Sequence, residues 1–275
     1  MSTAAGLALG TMLARTSQVS AAEPNPNKSS AGAPSLNLGV AGYSMREFSI
    51  EETLFWLNRW QLRFWSIKDV HLPLDSSPEV IASVKARSEA AGVTIYGAGV
   101  IYMKTEKDVT DAFAYAKLLG ARIIIAAPNV ELLPRIEKSV QDSGIRLAIH
   151  NHGPDMDLFP TPESIDVKIK NLDPGIGICL DVGHTQRSGI NPSDALEEFS
   201  GRIFDIHLKD VDKAAKDGKT VPMGRGIIDI HRLVNTIGKV KFNGVCGLEY
   251  EGSKNVTLPG IAESLGYLRG ALSNG

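Results

Sequence analysis

The sequence predicts a closed (β/α)8 barrel in a single domain, and three observations carry that reading. Short apolar runs alternate with amphipathic segments eight times between residues 36 and 272, at near-regular spacing. Polar groups recur at the downstream ends of these runs, as in Ile176–Gly189, where Ile-Gly-Ile-Cys-Leu leads straight into Asp181, Gly183 and His184. No glycine-rich phosphate turn follows the first run, where Gly39-Val-Ala-Gly-Tyr-Ser stands, and this disfavours the rival open doubly wound sheet. Parallel strands need crossover helices of right-handed sense, so eight such units in about 240 residues point to closure.

Taken in order, Leu36–Tyr43 is the first strand. Ser49-Ile-Glu-Glu52 opens a helix as a capping box, and Leu54, Phe55, Leu57 and Leu62 share one of its faces. Arg63–Val70 is the second strand, running out through Lys68, Asp69 and His71. Ser77-Pro-Glu79 starts a helix to Ala91, closed by Gly92. Val93–Tyr102 is the third strand, and Glu106–Leu119 a helix stopped by Gly120. Ala121–Ala127, β-branched at its centre, is the fourth strand, followed by a helix over Val130–Ser143 that Gly144 ends. Ile145–Ile149 is the fifth strand and runs into His150-Asn-His-Gly153; Thr161-Pro-Glu-Ser164 caps the next helix. Ile176–Asp181 is the sixth strand, with a helix from Asn191-Pro-Ser-Asp194 through Phe199. Arg202–Leu208 is the seventh, followed by Lys209, Asp210, a polar insertion Val211–Thr220, Met223-Gly-Arg-Gly226 and a helix Ile228–Ile237. Asn243–Tyr250 is the eighth strand, and Leu258–Leu272 a closing helix.

Composition bounds the function. With 275 residues and 43% hydrophobic content, one large core is expected. A net charge of −2 leaves no basic footprint for nucleic acid, and no apolar run reaches the roughly 18–20 residues of a membrane span. The two cysteines fall on non-neighbouring strands; alternation turns Cys179 inward and Cys246 outward, so no disulfide is expected. Residues 1–34 stand apart from the barrel, residues 35–275. Ala4–Ala14 is small and apolar, Val19-Ser-Ala-Ala22 resembles a signal-peptidase site, and Glu23–Pro34 is a Pro/Asn/Ser linker. Export, to the periplasm or beyond, is the expectation. A cytoplasmic tail is the alternative, because within residues 1–22 only Arg15 is basic and it follows the apolar run.

Five of the six histidines, His71, His150, His152, His184 and His207, fall at or just after strand ends, where barrels of this kind collect their chemistry. His150, Asp181, His207 and Glu249 end four successive strands, which lie about 4.8 Å apart. Alone, each reads as a hydrogen-bonded structural residue or a helix cap. Together they can converge on one divalent ion, Mn²⁺ foremost, then Co²⁺, Zn²⁺ or Fe²⁺, rather than Ca²⁺. Alternation puts Asp205 and Lys209 on the face of His207, Glu251 on that of Glu249 and His152 on that of His150. Glu251, His152 and Lys209 are therefore the candidate proton-handling groups, with a Glu251–Lys209 ion pair as the plainer reading. Lys68 and His71, at the end of the second strand, and the aromatic residues Trp65, Tyr43 and Tyr102 near strand ends are further candidates for contacting a substrate.

The segments IHNHG (149–153), CLDVGH (179–184), IHLKDV (206–211), GRGIID (224–229) and LEYEG (248–252) resemble the sugar phosphate isomerase/epimerase family, the xylose isomerase-like TIM barrels. They occur in that family's order and span about residues 36–270. The resemblance implies one divalent metal held by Glu, Asp, His and Glu, and isomerisation, epimerisation or dehydration of sugars, sugar acids or cyclitols. Asp181, His207 and Glu249 match three of those ligands, His184 a substrate-side histidine, and Arg225 a residue near the substrate's far end. His150 departs, standing where the family usually has a glutamate that also carries protons in two-base epimerases. The expected function is a metal-dependent sugar isomerase or epimerase working by proton abstraction next to a carbonyl, through an enediolate. A lyase or hydratase acting on keto-sugars or keto-glycosides is one alternative, and a non-catalytic sugar-binding barrel another. A zinc phosphodiesterase on the same barrel is disfavoured by the charge. The expected partner is a small sugar or glycoside, and the oligomeric state is left open, a homo-oligomer included.

Overall fold

Eight parallel strands close on themselves, each paired to its neighbours in chain order, with the last barrel strand beside the first. The computed structural model describes Met1 and residues 36–273; the export-signal and linker readings lie outside the described residues. The barrel strands are β1 (Asn37–Ala41), β2 (Phe64–Ile67), β3 (Thr94–Met103), β4 (Ile123–Pro128), β5 (Arg146–His150), β6 (Ile176–Asp181), β7 (Ile203–Leu208) and β10 (Val245–Leu248). A two-stranded antiparallel hairpin, β8 (Asp210–Val211) and β9 (Thr220–Val221), lies outside the barrel.

The helices begin and end where local chemistry dictates. In α1 (Ile50–Arg59) the Ser49 hydroxyl accepts from the Glu52 N–H and the Glu52 carboxylate accepts from the Ser49 N–H, so two otherwise orphaned donors are satisfied. Ser77 caps α2 (Pro78–Ala90), and Thr105 with Asp108 boxes α3 (Glu106–Leu119). Gly120 and Gly144 stop α3 and α4 (Leu133–Ser143) in the left-handed region that glycine enters without a Cβ clash. Helices α5 (Pro162–Ile169), α7 (Pro192–Glu198), α8 (Ile230–Lys239) and α9 (Lys254–Ser273) complete the outer ring. Among the described residues, no helix is long and apolar enough to cross a membrane.

Three local features differ from the sequence expectation. The first strand stops at Ala41 and turns through a 3-10 helix, Gly42–Met45. The segment between β6 and α7 (Pro192–Glu198) holds an extra helix, α6 (Val182–Arg187), because Asp181 ends the strand and caps the helix at once. The polar insertion is a hairpin with an anchored exit. Asp210 is buried, and its carboxylate accepts from the N–H groups of Gly224, Gly226 and Ile228. A side chain on Gly226 would stand 2.1 Å from Asp210 Oδ1, so only glycine allows this approach.

Strand alternation sorts the core into two layers. Most apolar side chains pack between strands and helices, and Cys246 is among them. A smaller inner set, Tyr96, Ile123, Ile125, Ala148, Cys179 and Val245, fills the barrel itself. Both cysteines are free, and they face the sides that alternation required.

Candidate metal centre

His150, Asp181, His207 and Glu249 meet at the C-terminal rim, none more than 4% exposed. The pairing register brings them there: Asp181 lies opposite His207, and His207 opposite Gly247, two residues before Glu249. His150 Nε2 stands 3.1 Å from His207 Nδ1, 3.5 Å from Asp181 Oδ2 and 3.9 Å from Glu249 Oε2. His207 Nδ1 is 3.3 Å from Glu249 Oε2. One donor atom from each of the four lies within 4.8 Å of all the others. A four-coordinate ion with bonds of about 2.1 Å separates its donors by about 3.4 Å, so the cage fits a small divalent cation. Two imidazoles and two carboxylates also suit such an ion chemically, and this buried group could bind one.

The surroundings hold these donors in place. Asp181 Oδ1 accepts from the His184 N–H at 2.7 Å, whereas Oδ2 faces the cage and the Lys209 ammonium. Asn151 supports the strand end from beside it, its Oδ1 accepting from the Asp181 N–H and its amide donating to Thr185 Oγ1. Burial alone would raise the Asp181 pKa, but His184, Lys209 and His150 together hold it well below the carboxylate range. Glu249 follows the same pattern: burial opposes ionisation, and Lys209 and His207 overcome it, leaving the pKa lowered. Burial pulls His207 down, while Cys179, Glu249 and Asp205 outweigh it and raise the ring well above its ordinary value.

Lys209 is the closest cationic side chain. Its ammonium is 3.0 Å from both Asp181 Oδ2 and Glu249 Oε2, contacts Glu251, and lies 3.4 Å from His184 Nε2. Burial lowers its pKa and the three carboxylates outweigh that, so the group is held well above its usual value. Gly183 gives its stem room, since a Cβ there would fall 2.6 Å from Lys209 Cδ. Glu251 stands at the solvent edge, paired to Lys209 and 3.6 Å from His184 Nε2, as the ion-pair reading anticipated. His184 is pushed down to about 4, chiefly by burial.

His152 is closer to a fixed hydrogen-bonding group than to a base. Its Nδ1 donates to the His150 carbonyl, so its Nε2 accepts from the Tyr102 hydroxyl at 3.1 Å. Burial and two neighbouring histidines push the ring down to about 3, which keeps it neutral near pH 7.

Lys68, His71 and Arg225 have their partners away from the four donors, whereas Tyr102 reaches His152 beside the cage. Lys68 donates to the Val100 carbonyl and pairs with Asp69. His71 Nε2 bonds the Met45 carbonyl, and its ring meets the edge of Trp65, which is wholly buried. Arg225 is exposed and paired with Glu263 of α9. Tyr43 and Tyr102 are partly exposed, as a stacking role would need. Two residues passed over by sequence reasoning now matter: Asn151, inside the IHNHG segment, and Asp205, noted only as sharing the His207 face. A carboxylate amid the apolar run RIFDIHL was the available signal for the second.

Among curated proteins, the chain is 25% identical over 151 residues to the rhizopine catabolism protein MocC of Rhizobium meliloti, covering 49% of this chain and 46% of that one. It is also 25% identical over 144 residues to the inosose dehydratase of Clostridium botulinum (strain Alaska E43 / Type E3), covering 46% and 47%. The matches thus span about half the length of these relatives. Among solved structures, the IolI protein with a bound zinc atom superposes with a TM-score of 0.72 at 16% identity, over 86% of this chain and 98% of that one, a likeness of fold. The sequence profile of the xylose isomerase-like TIM barrels matches residues 60–271, most of the barrel, and the chain belongs to that family.

Proposed function

We propose that the protein is a divalent-metal-dependent isomerase or epimerase that abstracts a proton next to the carbonyl of a sugar or cyclitol. One observation carries the reading: the buried two-imidazole, two-carboxylate cage with an ion-paired lysine at its edge. His150, Asp181, His207 and Glu249 would hold the ion. When bound, it supplies Lewis-acid stabilisation to an oxyanion developing on the substrate. Mn²⁺ remains our first expectation, although Zn²⁺ and Co²⁺ suit the same donors, and zinc is the ion in IolI.

The chain's own groups divide the remaining work. Glu251 takes the proton at a carboxylate oxygen and returns it. Lys209 orients that carboxylate and directs its charge toward the substrate oxygens. His184, within reach of both, binds a hydroxyl. His152, held neutral, fixes the Tyr102 hydroxyl beside the cage.

A second reading is elimination of a β-substituent, as in a dehydratase or a keto-glycoside lyase. His150 favours it, because it stands where the resemblance puts a second proton-carrying glutamate. The inosose dehydratase relative points the same way. Elemental analysis, then chelation and re-addition of single ions, tests metal dependence. A panel of keto-sugars, sugar phosphates, inososes and keto-glycosides followed by NMR in D₂O separates the reactions. Deuterium uptake beside the carbonyl with an interconverted sugar supports the first reading, and loss of water or aglycone the second. Metal-free protein with no exchange on any of them overturns both and leaves a sugar-binding barrel. We also propose that residues 1–34 direct export; fractionation that recovers intact, uncleaved protein in the cytoplasm overturns this.

A further inference from the structure

We propose that Asp205 is a positioning residue for the metal centre, its carboxylate fixing the ring and tautomer of His207 so that Nδ1 presents its lone pair to the cage. The inference rests on the metal-centre reading above. Asp205 faces the barrel interior from β7, two residues below His207, and is wholly buried. Among the described residues no lysine or arginine pairs with it. Its Oδ1 accepts from the Tyr96 hydroxyl at 3.0 Å, and its Oδ2 accepts from the Cys179 thiol at 3.3 Å. The same Oδ2 lies 3.4 Å from His207 Nε2, a buried ring nitrogen that lacks a close hydrogen bond.

A carboxylate this deep is unfavourable unless something compensates it. Packing alone would put an apolar side chain here, as it does at Ile125, Ala148 and Val245 in the same layer. A carboxylate only accepts, so it selects the form of His207 in which Nε2 carries hydrogen. In the neutral ring that leaves Nδ1 bare, and Nδ1 is the atom 3.1 Å from His150 Nε2 and 3.3 Å from Glu249 Oε2. Tyr96 and Cys179, from β3 and β6, hold the carboxylate from behind. Strands β3, β6 and β7 thus supply a supporting layer beneath the donors. Supporting layers of this kind change metal affinity by about 10–100-fold when removed.

The test is titration of metal-stripped protein with Zn²⁺ by calorimetry, beside the visible absorption of the Co²⁺ form and thermal unfolding of the stripped form. Asp205→Asn keeps the shape, removes the charge and can turn an amide N–H toward Nε2, which inverts the tautomer. The expected result is Zn²⁺ binding weakened about 10–100-fold and a shifted Co²⁺ spectrum, with the stripped protein as stable as wild type or more so. Tyr96→Phe should weaken Zn²⁺ severalfold in the same direction. A purely structural Asp205 would lower stability and leave affinity and spectrum alone. Zn²⁺ affinity within threefold of wild type in folded Asp205→Asn overturns the inference while the metal centre stands. If Asp205→Asn does not fold, unchanged affinity in Tyr96→Phe overturns it instead. Wild-type protein that binds no Zn²⁺ overturns the metal-centre reading, and this inference with it.

Discussion

The upper and lower halves of the barrel interior are built from the same strands and do different work. At the lower level β5 contributes Ala148, β6 Cys179 and β10 Val245, which pack with Ile123, Ile125 and Tyr96. One inward position higher, β5 contributes His150 and β6 Asp181, joined by His207 of β7 and by Glu249 just beyond β10. The strand period of two makes both layers point inward, so backbone geometry does not distinguish them. The side chains do. Below, small and branched apolar groups fill space; above, donors converge and charge must be compensated. Asp205 is where the layers meet, a carboxylate at the packing level bonded to Tyr96 and set 3.4 Å from His207 above it.

Substitutions in the two layers should therefore separate metal binding from stability. The largest effect is expected from His207→Ala. Turnover should fall to background and metal affinity by more than the ~100-fold of a supporting residue, measured by elemental analysis and stopped assays. Glu251→Gln should come next, with kcat about 10²–10⁴-fold lower and metal occupancy retained; loss of the metal as well would make Glu251 part of the cage instead. Ile125→Ala, wholly buried in the lower layer, should destabilise the fold by about 2–5 kcal/mol by chemical denaturation while leaving metal affinity per folded molecule unchanged.

The smallest effect is a pH dependence confined to the upper layer. His184 and His152 titrate near 4 and 3 in the folded protein, below their unfolded values near 6.5. The unfolded chain therefore binds more protons between those limits, and stability rises with pH across the window. Metal-stripped protein should lose stability on acidification from pH 6.5 toward 4. Asp181 and Glu249, held below their ordinary values, extend the loss at lower pH. His207, held above its ordinary value, partly opposes the trend, since its contribution is full in acid and falls as pH rises. Joint replacement of His152 and His184 by Gln should flatten the profile; an unchanged profile would place its origin elsewhere.

Much of this was legible from local pattern. Apolar runs with polar ends, capping residues and stop glycines each act within a few residues, so the eight units and five of the helix starts could be read directly. The cage positions were legible for the same reason: alternation along one strand decides which side chain faces inward. Helix α6 was missed because one residue, Asp181, serves as strand end, donor and cap together. The family resemblance implies that Arg225 lies near the substrate, yet its loop is anchored by Asp210 and its arginine turns to Glu263.

The residues alone determined the barrel, its inward faces and the four polar side chains that meet at its rim, because periodicity and capping are properties of adjacent positions. Tertiary structure alone decided which partners those side chains have. Lys209 joins Asp181, Glu249 and Glu251, and Asp205 joins Tyr96, Cys179 and His207, only once the register between distant strands is set. Contacts of that kind depend on closure of the whole ring, which no single segment encodes.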